Sequence, residues 1–212
     1  MLFDPAGIDP GLWVAYLTIS GIWLATVLAP GPNFVATVQA SLTGSRRAGV
    51  TVALGIAVGT AIWAGLSLVW LGLLFESVSW LYSLVKILGA GYLIFIGLQT
   101  IVTARRPAVA AAKPLSDGRA FRRGLLTDLS NPKAAAFFTS LFAVAVPPAA
   151  PLWFDIMIVT TVVAIAGLWY VAAAYAIAYR PIADGYQKAR KAIAYATGTL
   201  FTAFGAKLAI DA

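Results

Sequence analysis

The sequence predicts an all-α polytopic membrane protein, with six transmembrane helices arranged as two inverted three-helix repeats and helices one and four broken at proline motifs. Three observations carry this. Of 212 residues, 61% are hydrophobic and 11% are charged, with a mean hydropathy of +0.87; soluble domains carry about 25% charged residues. Six apolar runs alternate with loops whose basic residues all fall on one side of the chain's path. Two proline-interrupted segments recur one hundred residues apart, at Pro32 and Pro132.

A span needs about 20 mostly apolar residues. The first run covers about 12–28. No Lys or Arg precedes it, so it lacks the basic start of a secretory signal and is expected to remain as a span. The second covers about 48–75, long enough to tilt. The third covers about 81–102, the fourth about 124–146, the fifth about 152–178 and the sixth about 193–209. Trp13, Tyr16, Trp80, Tyr82, Trp153 and Tyr179 stand near proposed ends, where amphipathic rings sit at the headgroups.

Orientation follows from charge. Arg46 and Arg47 lie between spans one and two. Arg105, Arg106, Lys113, Arg119, Arg122 and Arg123 lie between three and four. Arg180, Lys188, Arg190 and Lys191 lie between five and six. These are twelve of the fifteen basic residues. Asp4, Asp9, Glu76 and Asp155 fall on the other side. The positive-inside rule then places both termini outside and the basic loops in the cytoplasm. The net charge of +7 is thereby read as topology rather than as a nucleic-acid footprint. The basic end of the long loop, 116–123, is expected to lie along an anionic inner leaflet.

Composition also narrows the chemistry. The chain has no Cys and no His, which removes thiolate nucleophiles, Cys-ligated metals, Ser-His pairs and HExxH zinc sites. An enzyme is not expected. Binding and movement are.

The two interruptions point to where binding occurs. Residues 12–45 as one helix would be roughly 50 Å long, beyond a ~30 Å hydrocarbon core. Pro30-Gly31-Pro32-Asn33 removes amide donors and forces a break. Ser130-Asn131-Pro132-Lys133 does the same inside span four. A single proline kink needs only packing to explain it. Two breaks in matching halves, each with an Asn beside it, fit the discontinuous helices that hold substrate in inverted-repeat transporters. Freed N–H groups at a half-helix start attract a carboxylate, and freed carbonyls attract an ammonium. GAGYLIFIG at 89–97 and GTLFTAFG at 198–205 are a fainter echo of the duplication.

These segments resemble the LysE/RhtB family of amino-acid exporters. The resemblance runs in order through PGPN at 30–33, GSRRAG at 44–49, LGIAVG at 54–59, KILGAGYLIFIG at 86–97, FRRG at 121–124 and NPKAA at 131–135. It implies a six-span inner-membrane exporter of small amino acids or their analogues, driven by the proton gradient. Where the family often carries a polar or acidic residue and a His after the second glycine of span two, this chain has Thr60 and Trp63. Where an Asn is common three residues before the motif Asn, it has Asp128.

The expected substrate site is therefore Pro30, Gly31, Pro32, Asn33, Asn131, Pro132 and Lys133. The two breaks should face each other near mid-membrane. The half-helix beginning near Asn33 would hold the carboxylate, with Lys133 assisting, and Asn131 with freed carbonyls would hold the ammonium. Lys133 could also pair with Asp128 or snorkel to the inner headgroups, but the family resemblance favours a role at the site. Asp128 is expected to carry the coupling proton; pairing with Arg122 or Arg123 at the inner interface is the plainer reading. Gln39, Lys86 and Thr60 are candidates for a gate or the cavity wall, although Lys86 is explained by snorkelling or by Glu76. Gly55, Gly59, Gly89, Gly91 and Gly97 should allow close helix packing. Trp63, Trp70, Trp169 and Tyr170 could shape a pocket, but contact with lipid or with other helices is the default reading. The whole chain, 1–212, reads as one transporter domain with repeats at about 11–102 and 124–210 around a basic cytoplasmic loop at about 103–123. No cofactor, metal or nucleic acid is expected. The partners are an amino acid, protons and the bilayer, and a homodimer is compatible with the small volume that six spans enclose. The alternative is an exporter of metal or other inorganic ions on a related scaffold, against which stands the poverty of metal ligands.

Overall fold

The structure, a computed structural model, describes residues 9–77, 79–104, 117–147, 150–177 and 179–210. These form eight helices: α1 (Pro10–Leu28), α2 (Pro32–Thr43), α3 (Arg46–Ser77), α4 (Ser79–Thr103), α5 (Asp117–Leu129), α6 (Pro132–Ala145), α7 (Leu152–Ala176) and α8 (Arg180–Ile210). No strand occurs among the described residues. Pro10–Leu28, Arg46–Trp70 and Leu152–Ala176 are each long and apolar enough to cross a bilayer. The protein is a multi-pass membrane protein.

Local sequence sets the helix ends. Asp9 caps α1 by accepting from the Gly11 amide at 2.8 Å, and Pro10 takes the first turn, where its missing N–H costs nothing. α1 ends at Ala29, whose amide still bonds Ala25. Pro30 cannot continue the ladder, because it has no donor. Gly31 is extended (φ −152°, ψ −176°), and Pro32 starts α2. The second break repeats the device. Ser130 N closes on Leu126 O at 2.9 Å, Asn131 N closes on Asp128 O at 3.0 Å, and Pro132 opens α6. The sequence thus places both breaks correctly.

α1 buries Leu12, Ala15, Ile19, Ile22, Trp23, Thr26 and Val27, an i, i+3/i+4 stripe. Its remaining surface is also apolar, with Val14, Leu17 and Leu24 facing outward, as a helix does when hydrocarbon is its solvent. The centre of the bundle is aromatic. Phe137, Phe138 and Phe142 on α6, Phe154 on α7 and Phe201 on α8 are fully enclosed. The Trp23 ring packs on Phe138 at 4.5 Å and on Phe137 at 5.2 Å. Its indole N–H donates to Val162 O at 2.8 Å, so an otherwise costly buried donor is satisfied.

Two helix pairs approach closely. α4 and α8 run antiparallel, and a Cβ on Gly198 would lie 2.6 Å from Gly97 O. α3 and α5 touch backbone to backbone at Gly55 and Gly124. Small residues permit such approaches in membranes. Of the glycines expected to do this, Gly91 does not: a Cβ there meets nothing within 4 Å. It sits on the outward face of α4 rather than on the α8 seam.

Helical structure extends past the expected spans. Asp117–Arg123 forms the first turns of α5, with Ala120 fully buried against the bundle and Asp117, Gly118, Arg119 and Arg122 exposed. Arg47 and Asp117 pair at 2.8 Å on the exposed edge of this packing, an ion pair worth little in water. α8 begins at Arg180, with Pro181 tolerated in its first turn. Arg105, Arg106 and Lys113 lie outside the described residues.

Candidate functional site

The two breaks converge. A small cleft of about 20 Å³ is lined by Gly31, Pro32 and Asn33 from the first break and by Asn131 and Ala134 from the second. Trp23 and Thr26 from α1 and Tyr170 from α7 close its far wall. That volume holds about one water, far less than an amino acid. Asn33 and Asn131 are both buried.

Behind Asn33 lies a carboxyl with no exposure at all. Asp128 Oδ1 accepts a hydrogen bond from Asn33 Nδ2 at 2.6 Å. The bond joins α2 to α5, residues 95 apart in sequence. The Asp128 backbone carbonyl accepts from the Trp63 indole at 3.2 Å and from the Asn131 amide at 3.0 Å. Asp128 is thus held at its carboxyl by Asn33 on α2, and at its backbone carbonyl by Trp63 on α3 and by Asn131 at the second break. The Thr60 hydroxyl, fully buried on α3, faces the same carboxyl. Neither Thr60 Oγ1 nor Asp128 Oδ2 completes a hydrogen bond of normal geometry, and Asn33 Oδ1 also lacks a partner. A proton on Asp128 Oδ2 would turn that oxygen into a donor, with the Thr60 hydroxyl oxygen beside it able to accept. Gly59 leaves the room: a Cβ there would stand 2.7 Å from Asp128 Oδ2.

Of the expected site residues, Gly31, Pro32, Asn33 and Asn131 line one cleft, and Asp128 with Thr60 stands directly behind it. Pro30 shapes the break without lining the cleft. Pro132 and Lys133 open α6, but their side chains lie outside the described residues, as does that of Lys86. Gln39 is not at the cleft. It lies about 9 Å further along α2 and accepts a hydrogen bond from Arg123, linking α2 to α5 toward the C-terminal end of α2. Arg123 therefore engages Gln39, and the expected Arg123–Asp128 pairing gives way to Asn33–Asp128. Trp23 and Thr26 were not singled out from sequence. Their signal is spacing: they stand seven and four residues before Pro30, on the helical face that runs into the break. Tyr170 does shape the pocket. Trp63 contributes through the Asp128 carbonyl, while Trp70 faces outward. No group of three acidic side chains converges among the described residues as a metal site would require.

Asn33→Ala removes the donor from a buried carboxyl. It is expected to destabilise the protein by about 1–3 kcal/mol. The melting temperature of the purified protein in detergent checks this, and an unchanged melt would show that the bond contributes no stability.

Comparison with known proteins adds a second line. The family description LysE type translocator matches residues 24–212. The threonine efflux protein of Escherichia coli K12 is 34% identical over 206 residues, covering 92% of this chain and 98% of its own. The homoserine/homoserine lactone efflux protein of Salmonella typhimurium is 33% identical over 202 residues, covering 93% and 95%. The leucine efflux protein of Salmonella choleraesuis is 29% identical over 192 residues, covering 86% and 89%. No solved structure gives a significant match.

Proposed function

The chain belongs to the LysE type translocators, and from that premise we propose that it is a secondary transporter exporting small amino acids or close analogues across the cytoplasmic membrane in exchange for protons. Full-length relatives named for threonine, homoserine and leucine efflux support the substrate class. The observation that carries the reading is the Asn33–Asp128 bond across two helix breaks that share one cleft.

Six spans in two inverted repeats, α1–α4 and α5–α8, are the architecture this reading uses. Each repeat then starts with a helix broken at proline. The packing is in keeping with an inverted pair: α3 meets α7, α4 meets α8, the α1–α7 contact answers α3–α5, and α2–α7 answers α3–α6. Both termini would face outward.

The cleft is too small for an amino acid, so substrate enters by separating the two halves. The α2 N-terminus takes the substrate carboxylate, with Lys133 assisting, and Asn131 with the carbonyls freed at the breaks takes the ammonium. Ionised Asp128 adds attraction for that ammonium. A proton on Asp128 cancels it, so proton and substrate alternate at one place. That alternation is what antiport requires. Rocking one repeat against the other would expose the site to each side in turn.

The test is transport by the purified protein in liposomes loaded with labelled threonine, homoserine, leucine, lysine or arginine, with and without a pH gradient. Movement of at least one amino acid that responds to the gradient is expected. No movement of any, by protein shown to be folded, would overturn the reading and turn attention to inorganic ions.

A further inference from the structure

One ionisable group in the bundle has no part in the cleft. Asp155 lies in the first turn of α7, about 5 Å along the helix from its start at Leu152. Its Oδ1 is buried and without a hydrogen-bond partner. It opens on a groove of about 350 Å³ between α3 and α7, whose walls include Gly65, Val69, Leu152, Ile156 and Thr160. The groove lies at the end of α3 remote from Arg46 and Arg47, which is the outer end in the orientation set by the basic loops.

The walls face outward. Val69, Leu152 and Ile156 are 65%, 73% and 57% exposed, so hydrocarbon fills their surroundings. No Lys or Arg is among the described lining residues. A carboxylate at this depth is costly without a cation or donors. The first-turn position on α7 contributes some helix-dipole stabilisation, but it leaves Oδ1 without a donor. Asp155 itself is only partly buried and lines the open groove, so the partner that suits it brings a positive, hydrogen-bonding head to headgroup depth on an apolar body.

We propose that this groove is a binding site for a phospholipid with a primary-ammonium headgroup, of the phosphatidylethanolamine class. The ammonium donates to Asp155, the Thr160 hydroxyl is within the same groove to meet the phosphate or ester oxygens, and an acyl chain runs along Val69 and Ile156. Gly65 makes the groove: a Cβ there meets nothing within 4 Å, so the space is open on the α3 side. The site does not depend on the transport reading.

Delipidated protein in detergent would be given phosphatidylethanolamine, phosphatidylcholine or phosphatidylglycerol at equal concentration, and retained lipid counted by native mass spectrometry. Wild-type protein should retain one phosphatidylethanolamine at about tenfold lower concentration than either other lipid. Asp155→Asn keeps the shape and removes the charge. Gly65→Leu keeps the charge and fills the groove without displacing any atom now present. Both should lose the tenfold preference while melting as the wild type does. Equal retention of the three lipids by wild type, or an undiminished preference in either variant, would overturn the proposal. So would a dimer in the wild type that Gly65→Leu converts to monomer, since the groove would then be occupied by a second copy of the chain.

Discussion

Asp128→Asn should leave the protein folded and able to exchange amino acid for amino acid, while transport driven by a pH gradient falls to the level of empty liposomes. The substitution is nearly isosteric. The new amide oxygen can still accept from Asn33 Nδ2, which now bonds Oδ1 at 2.6 Å. The new NH₂ would stand where Oδ2 is now, beside the Thr60 hydroxyl oxygen, which can accept from it. Nothing in the packing is lost, and a buried charge is removed, so the melting temperature should hold or rise. What disappears is the carboxyl behind the cleft that can exist with and without a proton. Two assays separate the effects. Counterflow of labelled against unlabelled substrate needs binding and alternation alone and should persist, at higher substrate concentration because the ammonium loses the attraction of an ionised Asp128. Gradient-driven accumulation needs the titrating group and should not. If accumulation persists in Asp128→Asn at the wild-type rate, the coupling proton is carried elsewhere. If counterflow also vanishes while the melt is unchanged, Asp128 is a substrate-binding group and nothing more.

Much of this arrangement was legible in the sequence because its signals are local. Two prolines around a glycine at 30–32 and Asn131-Pro132 stop helices by removing donors, whatever surrounds them. The charge rule and the apolar runs rest on composition over many residues and tolerate error at the ends. The residues that complete the cleft were less visible. Trp23 and Thr26 read as ordinary positions on an apolar helix, and only the return of α7 and α6 against α1 makes them a wall. The choice of partner for Asp128 was likewise tertiary. Sequence distance favours Arg122 or Arg123, a turn or two away, but α2 brings Asn33 closer and gives Gln39 to Arg123. Gly91 shows the converse. A glycine-rich stretch reads as a packing face, yet helical phase puts Gly97 on the seam and Gly91 outside it.

That distinction gives Gly124→Leu its expected severity. Gly124 has no side chain because the carbonyl of Val52 occupies the place where one would be. Gly55 stands in the same relation to Phe121 O, and its Cβ would also meet Leu125 N at 2.8 Å. α3 and α5 are therefore in backbone contact over more than one turn, with no flexible side chain to yield. Even Gly124→Ala must push the helices apart, a change of the kind that costs about 1–3 kcal/mol in packed interiors. Leucine adds three more carbons and is expected to leave little folded protein, read as loss of the monodisperse peak in detergent and of membrane expression. Gly91→Ala should do neither, and helix propensity alone would make it about 1 kcal/mol more favourable. The milder Gly124→Ala variant carries the functional consequence. α5 holds Asp128 against Asn33 on α2, and Trp63 on α3 holds the Asp128 carbonyl. Moving α5 off α3 moves the carboxyl relative to both. Gradient-driven transport should therefore fall more steeply than the melting temperature in Gly124→Ala. If both fall in proportion, the seam contributes stability but does not position Asp128.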